Sequence, residues 1–380
     1  MKINILIVIA CLLLCGKPAA AQELTKDQQA KIDTIAERLL TANNIPGVAI
    51  GIVRGGSILY TKGYGTKRIN AHEPIDSFTN FLTCSISKLF TATAIMQLAE
   101  QGKIDLNEKL TTYLPDFSMK DKRYRDITIR QILTHTSGLP NVYRKHYIRP
   151  KNDSTALTEF AHKLRHKKLS YPPGVPLSEK TYSNTGYDIL GLVIERVTNM
   201  PYSSYIDAHV LRPAGLDSSS FFYTHIPENR RSTPHKKQWL TGFVRPSRYY
   251  PDIPQDKPCG NLNSCTADMC QWMLHNLAIY NGTLPDKQVV SRTTLQDMWT
   301  TKEKIAGYTT SIGIGWWIAE SKKYGKYVFH DGNDPGFCAA LIISPANDFG
   351  IVILCNALFP KGLIWNKLPF EIMDVFAEHR

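Results

Sequence analysis

The chain has 380 residues, of which 43% are hydrophobic and 21% charged, and a formal net charge of +12. That composition supplies a substantial core for one large domain or two ordinary ones and excludes disordered and fibrous classes.

Residues 1–21 stand apart. Lys2 gives a basic start, Ile3 to Cys15 is an apolar run, and Ala19-Ala20-Ala21 offers small residues for cleavage before Gln22, the pattern of an export signal. The run is shorter than the roughly 20 residues of a membrane span, and no later segment replaces it, so no integral membrane span is expected. Bulky Leu14 ahead of Cys15 weighs against lipid attachment. The chain reads as periplasmic or secreted. Without that segment 43 basic residues face 33 acidic ones. This excess suits an anionic environment such as a cell-wall polymer. The basic clusters Lys120 to Arg125, Arg144 to Lys151 and Lys163 to Lys168 carry no nucleic-acid motif and read as solvated surface, so nucleic acid is not an expected partner.

Along the remainder, Ile32, Ile35, Leu39 and Leu40 form a helical stripe within 22–43 that packs one face on a sheet. Strands are expected at Val48 to Val53 and Ile58 to Tyr64, joined by the turn Arg54-Gly55-Gly56-Ser57. Ser85 to Gln101 reads as a buried helix capped by Gly102, and further helices are expected at Ile129 to Thr134, Thr185 to Thr198 and Thr266 to Ile279. The β pattern returns at Ile314 to Ala319, Lys326 to His330, Phe337 to Ser344 and Gly350 to Cys355, with a turn at Asn347 to Gly350 and a closing helix over Leu363 to Glu378.

Strands early, helices in the middle and strands late predict an α+β fold: an antiparallel sheet flanked by N- and C-terminal helices, with an inserted all-helical subdomain and a cleft between the two. After a signal peptide at 1–21, the α/β part takes about 22–80 and 260–380 and the helical part about 81–259.

Beyond the signal lie Cys84, Cys259, Cys265, Cys270, Cys338 and Cys355. Export permits disulfides, but the spacings give no pairing, and most read as small buried residues. Cys265, Cys270 and His275 are five apart and splay around a helix, which argues against a shared metal; neither metal nor other cofactor is expected. Cys84 reads as a packing residue at a strand-to-helix turn.

Three polar motifs then occur in order: Ser85-Ile86-Ser87-Lys88, Tyr182-Ser183-Asn184 and His330-Asp331-Gly332. Each alone is weak; an S-x-x-K match is expected by chance roughly once in a chain this long. Together they supply a hydroxyl, an amine, a phenol and an imidazole for acyl transfer. Ser85 in the first turn of a buried helix gains from the positive end of the helix dipole, and Lys88 falls on the same face. Burial disfavours the ammonium, so Lys88 is expected partly as a neutral amine able to take the serine proton. Tyr182 is a phenolate or proton shuttle, and Asn184, two residues on in an extended segment, points the same way to orient Lys88 and a substrate amide. His330 ends a strand, Gly332 lets backbone approach a ligand, and the Asn333 N–H joins that of Ser85 in an oxyanion hole.

In these motifs the chain resembles the penicillin-recognising serine hydrolases: class C β-lactamases, D-alanyl-D-alanine carboxypeptidases, D-aminopeptidases and related esterases. Leu133 to Pro140, Pro173-Gly174 before Tyr182 to Tyr187, Gly260 to Asp268 and Gly332 to Phe337 also look like the family's. The resemblance implies a β-lactamase/transpeptidase-like fold, Ser85 as nucleophile, Lys88 and Tyr182 as base system, Asn184 as a substrate and lysine orienter, and His330, Gly332 and Asn333 on the substrate-binding edge. Class C β-lactamases usually carry Lys-Thr-Gly as third motif, where lysine and threonine receive a carboxylate; His330 and Asp331 stand there here, which points away from β-lactams and towards peptide or ester substrates, with peptidoglycan fragments among them. The competing readings are a class C-like β-lactamase, a penicillin-binding module that acylates without turning over, and a non-catalytic wall protein. Oligomeric state is not legible.

Overall fold

A computed structural model describes residues 23–142, 155–238, 242–284, 289–305, 307–358 and 367–377. The export-signal segment, the basic run Arg144 to Lys151, and the first four residues and the last residue of the expected closing helix lie outside these. The chain begins with α1 (Lys26–Asn43) and the hairpin β1 (Gly47–Arg54) and β2 (Ser57–Gly65), and β3 (Phe81–Leu82) then leads into α2 (Ser87–Glu100). The middle holds α3 (Leu110–Tyr113), α4 (Ile129–Leu133), α5 (Ala156–Leu164), α6 (Asn184–Thr198), α7 (Tyr202–Ile206), the ribbon β4 (His235–Lys237) and β5 (Val244–Pro246), and α8 (Lys257–Gly260). Next come β6 (Asn263–Ser264), α9 (Thr266–Asn281) and α10 (Arg292–Met298). The strands β7 (Glu303–Lys304), β8 (Ser311–Ile312), β9 (Trp317–Ser321), β10 (Gly325–Asp334), β11 (Phe337–Ser344) and β12 (Phe349–Cys355) precede α11 (Leu368–Ala377).

Eight strands form one sheet in the order β2-β1-β12-β11-β10-β9-β8-β7, with every neighbouring pair antiparallel. Both ends of the chain therefore build it, as the early and late β patterns predict. Alternation sorts the side chains. Val48, Ile50, Ile52, Ile351 and Ile353 pack with Ile32, Leu39 and Ile372 of α1 and α11, whereas Ala49, Val53, Val352 and Leu354 face Met269, Cys270 and Met273 of α9 and the main core. Gly51 is needed on that inner face, because a Cβ there would sit 2.5 Å from the Cys270 sulfur. Thr25 starts α1 with a reciprocal cap to Gln28.

The structure departs from expectation locally. The middle of the chain is not purely helical, since β3 pairs with β6 and β4 with β5. The strand expected from Ile314 starts at Trp317, because the Gly313 N–H to Trp316 O bond and Gly315 at φ 79° make a tight turn first. The edge strand β7 and its neighbour β8, two residues each, are too short for a period-2 signal. The strand expected to stop at His330 continues to Asp334, because a two-residue Pro335-Gly336 turn folds it directly onto β11. The six described cysteines are all buried and free.

Candidate active site

β3 delivers the chain to the site. Thr83 N–H bonds to the Leu262 carbonyl at 2.8 Å, and Cys84 then turns through a left-handed φ of 52°. That conformation is costly for a side chain with a Cβ and is held by its surroundings: the buried Cys84 sulfur lies against the Leu82 and Phe337 carbonyls, and the Ser87 hydroxyl donates to Cys84 O at 2.7 Å while accepting from Leu262 N. Ser85 consequently stands in a 3₁₀ turn, Cys84–Ile86, ahead of α2 rather than in its first α-helical turn. Burial pushes the Cys84 thiol well above its ordinary pKa, consistent with a packing residue.

Every residue of α2 from Ser87 to Leu98 is buried, Lys88 completely. The Lys88 ammonium donates to Ser85 Oγ at 3.0 Å and to the Cys259 carbonyl at 2.6 Å, and lies 5.0 Å from the Tyr182 ring centre. Burial pushes Lys88 down, but Tyr182 and Cys259, with a smaller contribution from Asp188, outweigh it, and its pKa ends above the ordinary value. Tyr182 is also raised, by burial, against the pull of Lys88 and of hydrogen bonding to Lys88 and Ser85. Both groups of the pair are thus shifted upwards, Lys88 by its neighbours against burial and Tyr182 by burial against Lys88.

Tyr182 and Asn184 do not alternate along a strand. Ser183 caps α6 through a bond to Gly186 N, so Asn184 is already the first helical residue. Its side-chain oxygen is buried without a hydrogen-bond partner, and Lys88 is held by Ser85 and Cys259 instead. Two residues not singled out in the sequence hold this loop. Asn141 donates to Tyr182 O at 2.6 Å and accepts from Asn184 N at 2.7 Å. His135, buried and at φ 56°, accepts from Ser183 N at 3.1 Å through Nδ1, and its ring centre lies 4.2 Å from that of Tyr182. Burial pushes His135 well down, so it packs as a neutral ring. His135 lies within the Leu133 to Pro140 stretch and Asn141 directly follows it; that stretch marked the place but not the contacts.

β10 forms the opposite wall. It pairs with β9 only from Gly325 to Phe329, so beyond that its outer edge is open. The two-residue turn makes Asp334–Phe337 a hydrogen-bonded pair with β11, and alternation then sends the backbone groups of His330 and Gly332 towards β11 and those of Asp331 and Asn333 to the open edge. A Cβ on Gly332 would lie 2.5 Å from Ser85 N and 2.6 Å from Cys84 Cβ, which measures how closely this strand passes the serine. His330 is buried; burial and the Lys88 charge lower it to about 3, and its Nδ1 donates to Asp331 O at 2.6 Å, leaving Nε2 as an acceptor. It carries no charge for a substrate carboxylate at neutral pH. Burial raises the Asp331 carboxyl to about 6 and that of Asp334, beside Asp256, to about 7.

The resulting cleft has a volume of about 530 Å³. Ser85, Tyr182, Asn184, His330, Gly332 and Asn333 line it together. Glu179, Asp331, Trp317 and Tyr308 line it as well, and the Tyr308 hydroxyl donates to Glu179 Oε1 at 3.1 Å across the mouth. Of these, Glu179, Trp317 and Tyr308 carried no motif. Asp188, Asp256 and Cys259 each bring a potential ligand atom within 4.8 Å of one another. Burial raises the Cys259 thiol well above its ordinary pKa and so keeps it protonated, and the adjacent cation is Lys88, which fits a lysine seat better than a metal site.

The family model described as Beta-lactamase matches residues 32–367. Protein flp of Staphylococcus aureus is 30% identical over 335 residues, covering 88% of this chain and 64% of that protein. Penicillin-binding protein 4* of Bacillus subtilis is 25% identical over 337 residues, 84% of this chain and 70% of that one. The chain thus spans about two thirds of the length of these curated relatives. Among solved structures, the octameric penicillin-binding protein homologue from Pyrococcus abyssi superposes with a TM-score of 0.77 at 23% identity over 92% of this chain and 77% of that chain. A class C beta-lactamase gives 0.77 at 19% identity, over 92% and 96%. Both share the fold expected from the sequence.

Proposed function

Because the chain belongs to the Beta-lactamase family of serine hydrolases, we propose that it cleaves amide or ester bonds through an acyl-Ser85 intermediate, acting outside the cytoplasm on peptide or ester substrates with an amine-bearing end. The observation that carries the chemistry is the convergence of the Ser85 hydroxyl, the Lys88 ammonium and the Tyr182 phenol at one end of the cleft. Once the Lys88–Tyr182 pair has lost one of its protons, it accepts the proton of Ser85 as Oγ bonds to the substrate carbonyl carbon. The carbonyl oxygen takes up the negative charge against the N–H groups of Ser85 and Asn333. The pair returns the proton to the leaving amine or alkoxide as its bond to carbon breaks, and water repeats the sequence to release the acid. No described helix is long and apolar enough to cross a membrane, and export rests on the N-terminal pattern alone.

The substrate preference rests on the charge of the walls. Among the described lining residues Glu179 and Asp331 are acidic, none is Lys or Arg, and His330 is neutral, so beyond the Lys88 at the serine end a free carboxylate meets no cation on these walls whereas an ammonium finds two carboxyl groups. A panel of a D-alanyl ester, a D-amino-acid amide and a cephalosporin tests this. Faster turnover of the first two is expected; efficient cephalosporin hydrolysis would overturn the preference and favour the β-lactamase reading.

A pH profile gives a second test. For a neutral ester, kcat/KM should climb as pH rises above neutrality, since the pair must lose a proton and both its groups are shifted upwards. No histidine step near pH 6.5 is expected, because His330 and His135 are already neutral there. An amine-bearing substrate should show a further gain as pH rises through about 6, where Asp331 becomes a carboxylate. Asp331→Asn should remove that step alone; a step that persists in the variant assigns it elsewhere.

A further inference from the structure

The sequence distributes basic residues in separate runs, and the fold brings two of them together. Lys120 N–H donates to Lys167 O at 3.0 Å, which seats the 3₁₀ turn Lys122–Asp126 beside the chain leaving α5. Lys120, Lys122, Arg123 and Arg125 are exposed on one side of this junction. Lys163, Arg165, Lys167 and Lys168 are exposed on the other. Proximity across it is felt by Asp121, whose carboxyl is held at about 2 by its bond to Arg123 with a contribution from Lys168. The local acids do not cancel the charge. Asp121 is taken by Arg123 and Asp116 by Arg196, Glu159 accepts from Thr155, and Asp126 is the one further carboxyl in these runs.

We propose that this face binds a linear polyanion whose phosphate or carboxylate groups are spaced along a flexible chain, a track beside the cleft and not merely solvated surface. Charge density alone would also suit an anionic bilayer, but the surroundings favour the polymer. The apolar side of α5, with Leu157, Phe160 and Leu164, is buried inside the protein, and none of the exposed large hydrophobic residues (Ile58, Phe78, Phe243, Tyr308 and Leu358) falls in either run, so nothing here enters an acyl layer. The face is also tied to the catalytic wall. Two residues past Lys168 the chain docks on the His135 loop through the Ser170 N–H to Gly138 O and Gly174 N–H to Thr136 O bonds, and it runs on to Glu179 and Tyr182. A polymer on the track therefore lies against the segment that forms one side of the cleft.

Long-chain inorganic polyphosphate and small vesicles of pure phosphatidylglycerol or pure phosphatidylcholine are suitable probes, with binding measured at several salt concentrations. The unaltered protein should bind polyphosphate with an affinity that falls steeply with salt, by about 0.7 in log K per log salt for each contact made. Substituting Lys163→Gln, Arg165→Gln, Lys167→Gln and Lys168→Gln together should weaken binding by about tenfold or more and flatten that slope. Turnover of a small neutral ester should be unchanged, which separates failure of this idea from failure of the hydrolase reading. Equal polyphosphate binding by the variant would overturn the proposal, as would binding to phosphatidylglycerol vesicles without binding to polyphosphate.

Discussion

Replacement of Ser85 by alanine is expected to lower turnover of the best ester or amide substrate by about 10⁴-fold or more and to abolish the covalent adduct that a β-lactam or phosphonate leaves on the protein. The substitution removes the atom proposed to form the acyl bond. It should leave the fold intact, because Ser85 Oγ accepts from Lys88 while the buried ammonium keeps its 2.6 Å bond to Cys259 O. Intact-mass spectrometry with each reagent is the direct measurement. Tyr182→Phe makes the complementary case, since the ring keeps its packing on His135 and Trp317 and only the phenol is lost. It should cost about 10²- to 10⁴-fold, mainly in acylation rate. Full activity of Ser85→Ala would end the acyl-serine mechanism, whereas full activity of Tyr182→Phe would move the proton transfer to Lys88 alone.

What was legible in the sequence followed from periodicity and from residue chemistry. The β-forming residues of Val48 to Val53 and Gly350 to Cys355 marked two strands that turn out to be neighbours in the sheet, and the three motifs marked Ser85, Tyr182 and His330, which line one cleft, with Lys88 against Ser85. What was not legible depends on contacts between distant segments. The direction in which the Lys88 pKa shifts could not be read from its burial, because it depends on Tyr182 and Cys259, 94 and 171 residues away. The role assigned to Asn184 assumed an extended backbone, but Ser183 is a good helix cap and α6 starts one residue earlier than expected. His135 acts through one hydrogen bond and Asn141 through two to the loop around Tyr182, and no local pattern encodes such bonds. Likewise Glu179 and Tyr308 meet only because two loops face each other across the mouth.

Gly332→Ala is expected to have the second largest effect, a fall in kcat of about 10²- to 10³-fold, the loss typical when one oxyanion-hole donor is displaced. The glycine is not required for its backbone angles, which are those of an ordinary strand; it is required for space. A methyl group here would stand 2.5 Å from Ser85 N and 2.6 Å from Cys84 Cβ, contacts that a flexible side chain cannot relieve because both belong to a buried, left-handed turn. Either β10 moves outward, carrying the Asn333 N–H away from the serine, or the nucleophile turn opens; both separate the two donors. The overpacking should also cost about 1–3 kcal/mol of stability. A loss by unfolding is distinguished by titrating active sites with a phosphonate and comparing turnover per reactive serine. Activity within a few-fold of the unaltered protein would mean that the carbonyl oxygen is not held between Ser85 and Asn333, and the reacting group would then have to sit further along the open edge of β10, towards Asp331.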